Sequence, residues 1–513
     1  MRAFAKYTMV VSCVLFLAGN VFAAANSYDI NIYGASAQSN FWKNQGTVWM
    51  SSVLGCASTA KACAAKWDST NGRYIQDSKD CIIKGTGCDA DNDGSNDDTV
   101  KLAYSDKASF AGIFSINGED PFGDNDYCDP DFSSQKMVNE ANCDFSNGNS
   151  GLCCVDGSGG GAGSCGSLAS KLADENDLDR YACRRVSLGA SDVGNTAFKQ
   201  KSYGWENYDD YAVIPGPPGQ YSNYTIDRDF TAATGIPVTV DTNVASAARP
   251  IVVPFMFQKN CAIDFIPGDN LSRSQAYMLM TKQVKYWNEI FPTAPANARV
   301  LICARHAGSG TQATMDLGVL RGDSGVYPFD HYYLGTGSSP IVMLNQSSSN
   351  LTECVNDNGG SVIANASWIT AGDTLLAIGY ADADKFGNWV KSDGTLETNA
   401  ADVFQKDGYE NVCYLKYQGY TATAANVKTG AYPFWAEQYV YYRNAEVSAA
   451  GTDYQKFMSN SVVGIGDVTP SRGDNALLRY MNGHISDPTS RYWVGSDDML
   501  VTKVDDFAMP SPK

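Results

Sequence analysis

The run Arg305-His306-Ala307-Gly308-Ser309-Gly310-Thr311 brings a guanidinium, two hydroxyls and two glycines together. It follows the apolar run Val300 to Ala304, which reads as a buried strand, and precedes Gln312 to Leu320, which can continue as a helix. Glycines allow a ligand to approach the backbone, and the first amides of a helix point free N–H donors outward at its positive end. Ser309 and Thr311 add hydroxyl donors, and Arg305 adds a charged fork suited to a tetrahedral oxyanion. Together these residues specify an anion pocket; the alternative is an ordinary Gly/Ser turn with an exposed arginine. A second candidate is Asp89-Ala90-Asp91-Asn92-Asp93-Gly94-Ser95-Asn96-Asp97-Asp98. Oxygen ligands at alternate positions, with Asp89, Asp91, Asp93 and Asp97 as candidates, match the first half of a calcium loop. Val100 stands where the terminal bidentate glutamate belongs, so a solvated acidic loop is the competing reading and any calcium would be structural.

The elements that position these groups alternate. Ile30 to Gly34 reads as a strand ending at a tight turn, with a helix over Phe41 to Leu54. Val100 to Tyr104 predicts a strand and Ala108 to Ile116 a helix; Val186 to Asp192 predicts a strand ending in a polar turn. Ile251 to Phe257 is a nearly continuous apolar run, as in a strand buried on both faces. Leu375 to Tyr380 and Tyr439 to Tyr442 supply further strands, and Ser272 to Ile290 has helical character. Strands alternating with helices imply an α/β fold with mainly parallel sheets. Two polar, cysteine-bearing stretches, about 56–98 and 117–167, read as insertions held by disulfides.

Composition excludes several classes of function. With 513 residues, 44% hydrophobic and 18% charged, the chain has material for a large core. A net charge of -18 repels nucleic acid and anionic headgroups. Only His306, His331 and His484 are present, which argues against a histidine-rich metal centre. Arg2 and Lys6 precede an apolar stretch ending near Val21-Phe22-Ala23-Ala24-Ala25, which predicts a signal peptide over 1–23 and a periplasmic or secreted protein. A lipobox-like Val10-Val11-Ser12-Cys13 offers a lipoprotein alternative. Of 15 cysteines, loss of Cys13 leaves 15 - 1 = 14, and without a C-x-x-C these are best read as disulfides of an oxidising compartment.

Arg305-x-x-Gly308-Ser309-Gly310-Thr311 resembles the signature of the phosphate-binding proteins of ABC transporters, which are PstS-like and of the type II periplasmic-binding-protein superfamily. Other blocks are similar to that family in the same order: Gly34-Ala35-Ser36-Ala37, Gly189-Ala190-Ser191-Asp192, Lys285-Tyr286-Trp287, Ala377-Ile378-Gly379-Tyr380 and Thr429-Gly430-Ala431-Tyr432-Pro433. The resemblance implies an α/β, two-lobed periplasmic-binding-protein fold (type II) with disulfide-rich insertions, closing on phosphate or a similar oxyanion and delivering it to an ABC permease. It implies no enzyme activity and no required cofactor. It further implies a first lobe over 24–251, a second over 252–431, and a return crossover with completion of the first lobe over 432–513. Crossovers are expected near Val252 to Gln258 and near Tyr432 to Arg443.

By the same resemblance, Arg305, Ser309, Gly310 and Thr311 bind from one lobe, and Asp192 with the loop after Gly34 from the other. A carboxylate facing an anion repels it unless the anion has a proton to donate. Phosphate has one near neutral pH and sulfate does not, and a buried unpaired acceptor costs ~1–3 kcal/mol or more. Asp192 as a helix N-cap is the alternative. Where the family has Thr-Phe, this chain has Gln38-Ser39, both able to donate; its second-loop serine is expected at Ser105, with Ser158 as alternative. Ala307 replaces an acidic residue and so removes an expected partner of Arg305. Two other functions compete: an extracellular structural or adhesive protein reusing the fold, and a phosphohydrolase with Asp192 as nucleophile.

Overall fold

The computed structural model describes residues 25–52, 54–68, 73–90, 94–118, 128, 133–154, 181–198, 205–206, 245–305, 308–321, 341–345, 347–360, 370–383, 411–444, 494–504, 506 and 508–513. The expected signal peptide, the lipobox, Ser158, all three histidines, Ala307, Asp91 and Asp93 lie outside them.

The first part of the chain forms β1 (Ser27–Ala35), α1 (Ser39–Ser52), β2 (Ser58–Asp68), β3 (Arg73–Cys88), β4 (Asp98–Lys107), α2 (Ser109–Asn117), β5 (Ser134–Val138), β6 (Gly151–Cys153), β7 (Tyr181–Arg185), β8 (Leu188–Ser191) and β9 (Trp205–Glu206). Then come β10 (Ala245–Asn260), β11 (Asn270–Leu271), α3 (Arg273–Met280), β12 (Ala298–Arg305), α4 (Gly310–Met315), β13 (Ile341–Asn345), α5 (Ser348–Asn356), β14 (Thr374–Asp382), β15 (Val412–Tyr417), α6 (Ala424–Lys428), β16 (Trp435–Arg443) and β17 (Val494–Gly495).

A sheet runs in the order β6-β2-β3-β4-β1-β8-β16-β10-β14-β12-β13-β9. It is mixed, not mainly parallel. Strands β4, β1 and β8 are parallel, as are β14, β12, β13 and β9. The long strand β10 joins these groups by antiparallel pairing, to β16 as far as Pro254 and to β14 from Phe255 onward. β16 in turn pairs antiparallel with β8. All eight residues of β12 are buried between β13 and β14, which is why Val300 to Ala304 reads as an unbroken apolar run.

The expected excursion over 56–98 is instead a hairpin, β2 and β3, that extends the sheet beside β4. Nested disulfides Cys56–Cys88 and Cys63–Cys81 cross it. Cys128–Cys183, Cys143–Cys153, Cys261–Cys413 and Cys303–Cys354 are also formed, and every cysteine among the described residues is disulfide-bonded. Ser272 to Ile290 is helical only in its first half: a capping box of Ser272 and Gln275 starts α3, and Lys282 at φ 61° lies beyond its end.

Helix α2 lies on β8 at backbone contact. A Cβ built on Gly34 (φ 128°) or Gly112 would come within 2.2 and 2.4 Å of the Ala190 carbonyl oxygen, and one on Gly189 within 2.1 Å of the Gly112 carbonyl oxygen. At the other end of α2, the buried Arg443 of β16 donates to the carbonyls of Ser115, Ile116 and Val186 at 2.8, 3.0 and 2.8 Å. A guanidinium on the last carbonyls of a helix also opposes its negative pole. These contacts fix where the N-terminus of α2, and therefore Ser109, must lie.

Candidate functional site

Asp192 follows the C-terminal end of β8, and Arg305 ends β12. Loops at the carboxyl ends of parallel strands are where an open α/β sheet presents side chains to a ligand. Ser109, the first residue of α2, accepts the Asp192 amide on its Oγ at 3.2 Å. Gly310, the first residue of α4, sits directly against this pair: a Cβ there would be 2.2 Å from Ser109 Oγ and 2.6 Å from Asp192 Oδ2. Segments from the two parallel groups of strands therefore meet at one point, with Thr311 beside it.

Asp192, Ser39 and Thr311 are each 1% exposed. Asp192 Oδ1, Ser39 Oγ and Thr311 Oγ1 are buried without a hydrogen-bond partner among the described residues. Burial, then Asp382, pushes the Asp192 carboxyl up from 3.8 to about 7, with Asp106 adding to the rise; Ser109 and Arg305 pull the other way. Ser309 caps α4, its Oγ accepting the Gln312 amide at 3.4 Å.

Arg305 is 5% exposed and held from two sides. Its Nε donates to the Asn345 carbonyl at 3.1 Å and its Nη1 to Ser348 Oγ at 2.8 Å. Ser348 in turn reaches Asp382 Oδ1 at 3.4 Å. Burial lowers the Arg305 pKa, and Asp382, fully buried at the end of β14, is the charge that most opposes that fall. Losing an acid at Ala307 therefore does not leave Arg305 without an opposite charge. Sequence reading missed Asp382 because only the parallel pairing of β12 with β14 brings it near.

Two expected ligands are otherwise engaged. Gln38 donates from Nε2 to the carbonyls of Ser191 and Tyr439, each at 3.0 Å, and its Oε1 accepts from Trp42 Nε1 at 3.0 Å. Both amide hydrogens are thus committed, and Gln38 ties the start of α1 to β8 and β16. Ser105 donates its hydroxyl to the Asp80 carboxylate on the neighbouring strand. Ser109, four residues later, is the serine of this stretch that touches Asp192. Its signal in the sequence was its position after Ala108, where the helical pattern begins.

The acidic loop gives calcium no support. Among the described residues no group of three acidic, histidine or cysteine ligands forms a metal site. Asp89 Oδ1 accepts the Gly94 amide at 3.3 Å; Asp97, the other described candidate, is exposed. The carboxylate that organises this region is the buried Asp98, which accepts the amides of Asn26 at 2.9 Å and Ala90 at 3.0 Å.

Residues 231–461 match the model of the PBP superfamily domain. That PBP match includes Arg305, Ser309, Gly310, Thr311 and Asp382, and both long strands β10 and β16; Ser39, Ser109 and Asp192 precede it. That stretch is PBP-like, and the described residues form a mixed α/β sheet with helices and disulfides. Similar solved structures include an ABC-type phosphate transport receptor from Vibrio cholerae, 15% identical with a TM-score of 0.27, covering 45% of this chain and 75% of its own. PstS from Borrelia burgdorferi is 14% identical with a TM-score of 0.25 (43% and 68%). A phosphate binding protein from Stenotrophomonas maltophilia is 14% identical with a TM-score of 0.24 (54% and 70%). No curated protein matches the chain by sequence. No described helix is long and apolar enough to cross a membrane.

Proposed function

We propose that this chain is a PstS-like solute-binding protein that captures a proton-bearing tetrahedral oxyanion, phosphate foremost, and releases it unchanged. One observation carries the proposal: a buried carboxylate oxygen of Asp192 lacks a protein partner where Gly310 of the Arg305–Thr311 run closes on that residue, within the field of an oriented Arg305 guanidinium, and the hydroxyls of Ser39 and Thr311 are likewise buried and unpartnered. Buried polar atoms cost free energy until paired. Phosphate answers this set, because its unprotonated oxygens accept from Ser39, Ser309, Thr311 and Arg305 while its P–OH donates to Asp192. Gly310, lacking a side chain, lets the two sides approach within contact of one small ion.

The remainder follows from that role. Residues 24–251 and 432–513 form one lobe and 252–431 the other, with β10 and β16 as the crossovers. The disulfides support an oxidising compartment, so the mature protein acts in the periplasm or outside the cell after signal-peptide removal and hands phosphate to an ABC permease.

Equilibrium phosphate binding with sulfate as competitor tests this, at pH 8, where a carboxyl titrating at about 7 is ionised and can only accept. Phosphate should bind and sulfate should fail to displace it; Arg305→Ala should abolish binding, and Asp192→Asn should narrow the gap between the anions. Equal competition by sulfate, or a folded parent that binds neither, overturns the proposal.

A further inference from the structure

The turn carrying Asp192 has four consecutive amides, each held by a side-chain oxygen. Ser109 Oγ accepts Asp192 N at 3.2 Å, Ser191 Oγ accepts Val193 N at 3.4 Å, Asp506 Oδ2 accepts Gly194 N at 3.0 Å and Tyr441 OH accepts Asn195 N at 2.9 Å. These amides therefore do not serve a ligand; they hold the backbone so that only the Asp192 side chain does. Three of the four acceptors belong to the surrounding scaffold: Ser109 to α2, Tyr441 to the crossover strand β16 and Ser191 to the end of β8. The fourth, Asp506, comes from a segment 312 residues away in sequence.

That segment, 494–513, is fastened along both crossover strands. It begins as β17, paired with β10 at Val252 and Ile251, and Ser496 Oγ donates to the Arg249 carbonyl. Asp498 pairs with Lys428 at 3.1 Å. Lys503 is 7% exposed; its Nζ donates to the Trp435 carbonyl of β16 and lies 4.0 Å from the centre of the Trp435 ring. Three residues on, Asp506 reaches Gly194 among the charges of Lys503, Glu437 and Arg249. A Cβ on Gly194 would approach Asp506 Oδ2 to 3.3 Å, so the contact is close as well as polar.

We propose that the segment 494–513 is a strap that joins the crossover strands to the ligand turn, with Asp506 as a positioning residue for Asp192. The proposal rests on the oxyanion reading for its consequence but not for its geometry. A change in how the crossover strands sit against each other would then be felt at Asp192 through Lys503 and Asp506, without either touching the ligand.

The test uses the full chain, inorganic phosphate and amide hydrogen exchange on the parent, Asp506→Ala and Asp506→Asn. Asp506→Ala should raise the phosphate Kd about tenfold, as expected for loss of one buried hydrogen-bond acceptor. Amides of 191–198 should exchange faster while those of β12 keep the parent rate. Asparagine still offers an oxygen to Gly194 N and should restore both readouts, whereas Asp506→Leu, which fills similar space without an acceptor, should not. Parent-like exchange and affinity in Asp506→Ala, or no rescue by asparagine, overturns the strap. If the parent binds no phosphate, the oxyanion reading fails while the exchange comparison still decides the strap. Should Asp506→Ala not fold, Lys503→Met, which releases the strap at Trp435, carries the same expectation for 191–198.

Discussion

Replacing Gly310 by alanine probes the site with a single methyl group. Gly310 begins α4 and is not among the positive-φ glycines, so alanine suits its backbone and helix propensity favours it by up to ~1 kcal/mol. The new Cβ would lie 2.2 Å from Ser109 Oγ, 2.5 Å from Asp192 Cβ and 2.6 Å from Asp192 Oδ2, whereas ordinary contact begins at 3.4 Å. Relief requires 3.4 - 2.2 = 1.2 Å of separation between α4 and the Ser109–Asp192 wall. An ion bridging the two sides with bonds near ~2.8 Å cannot follow both walls, because ~4 Å is beyond hydrogen-bond range. Losing two charge-assisted bonds at ~1.5–3 kcal/mol each weakens binding by roughly 10²- to 10⁴-fold. Calorimetric titration with phosphate measures the loss, and a thermal melt should show the fold intact. Gly318→Ala is the control: its Cβ would meet only Phe434 Cδ2, at 3.9 Å, and binding should not change. Phosphate affinity of Gly310→Ala within about threefold of the parent would refute the contact, and so would an equal loss in the control.

The unusual carboxyl gives a stability signature without ligand. Because Asp192 is raised from 3.8 to about 7 on folding, the folded state holds the extra proton between those values, and stability falls as pH rises from about 4 to about 7. Asp192→Asn removes this penalty and should gain on the parent by up to ~4 kcal/mol at pH 8, at 1.36 kcal/mol per pKa step, with little gain at pH 4. Urea unfolding at both pH values checks it; a gain independent of pH contradicts the buried-carboxyl account. The disulfide Cys303–Cys354 ties β12, which ends in Arg305, to α5, which begins with Ser348. For a separation of 51 residues the chain-entropy model assigns it ~4 kcal/mol. The double variant Cys303→Ala, Cys354→Ala should lose stability of that order in denaturant melts and weaken phosphate binding further through Arg305; unchanged melts would dismiss the estimate.

Local pattern made much of this protein legible. Continuous apolar runs became β10 and β12 because strands flanked on both sides cannot tolerate polar faces, and the Gly-Ser-Gly-Thr run became a capped helix start because those residues suit caps and close approach. Arg305, Thr311 and Asp192 were all identifiable as candidates from residue type and order. The hairpin β2–β3 was misread as an excursion because its buried face is made largely of small residues: Ala62, Ala64 and Ile82 pack against Met137 and Val138, and nested disulfides cross the paired strands. Gln38 and Ser105 were overvalued for a related reason: a side chain that can donate is recognisable in a sequence, but the atom that already receives its hydrogen is not.

Residue types supply the chemical groups available: the guanidinium, the small hydroxyls, a carboxylate and glycines next to helix starts. Which of them face one another depends on strand order and on backbone contact between segments distant in the chain, and so comes from the folded arrangement. Glycine contacts set α2 on β8 and so put Ser109 against Asp192, parallel pairing brought Asp382 toward Arg305, and Asp506 from a remote segment reached Gly194. Bonding partners drawn from remote positions leave no periodicity to read, because neither hydrogen bonds nor charge interactions depend on how many residues separate them along the backbone.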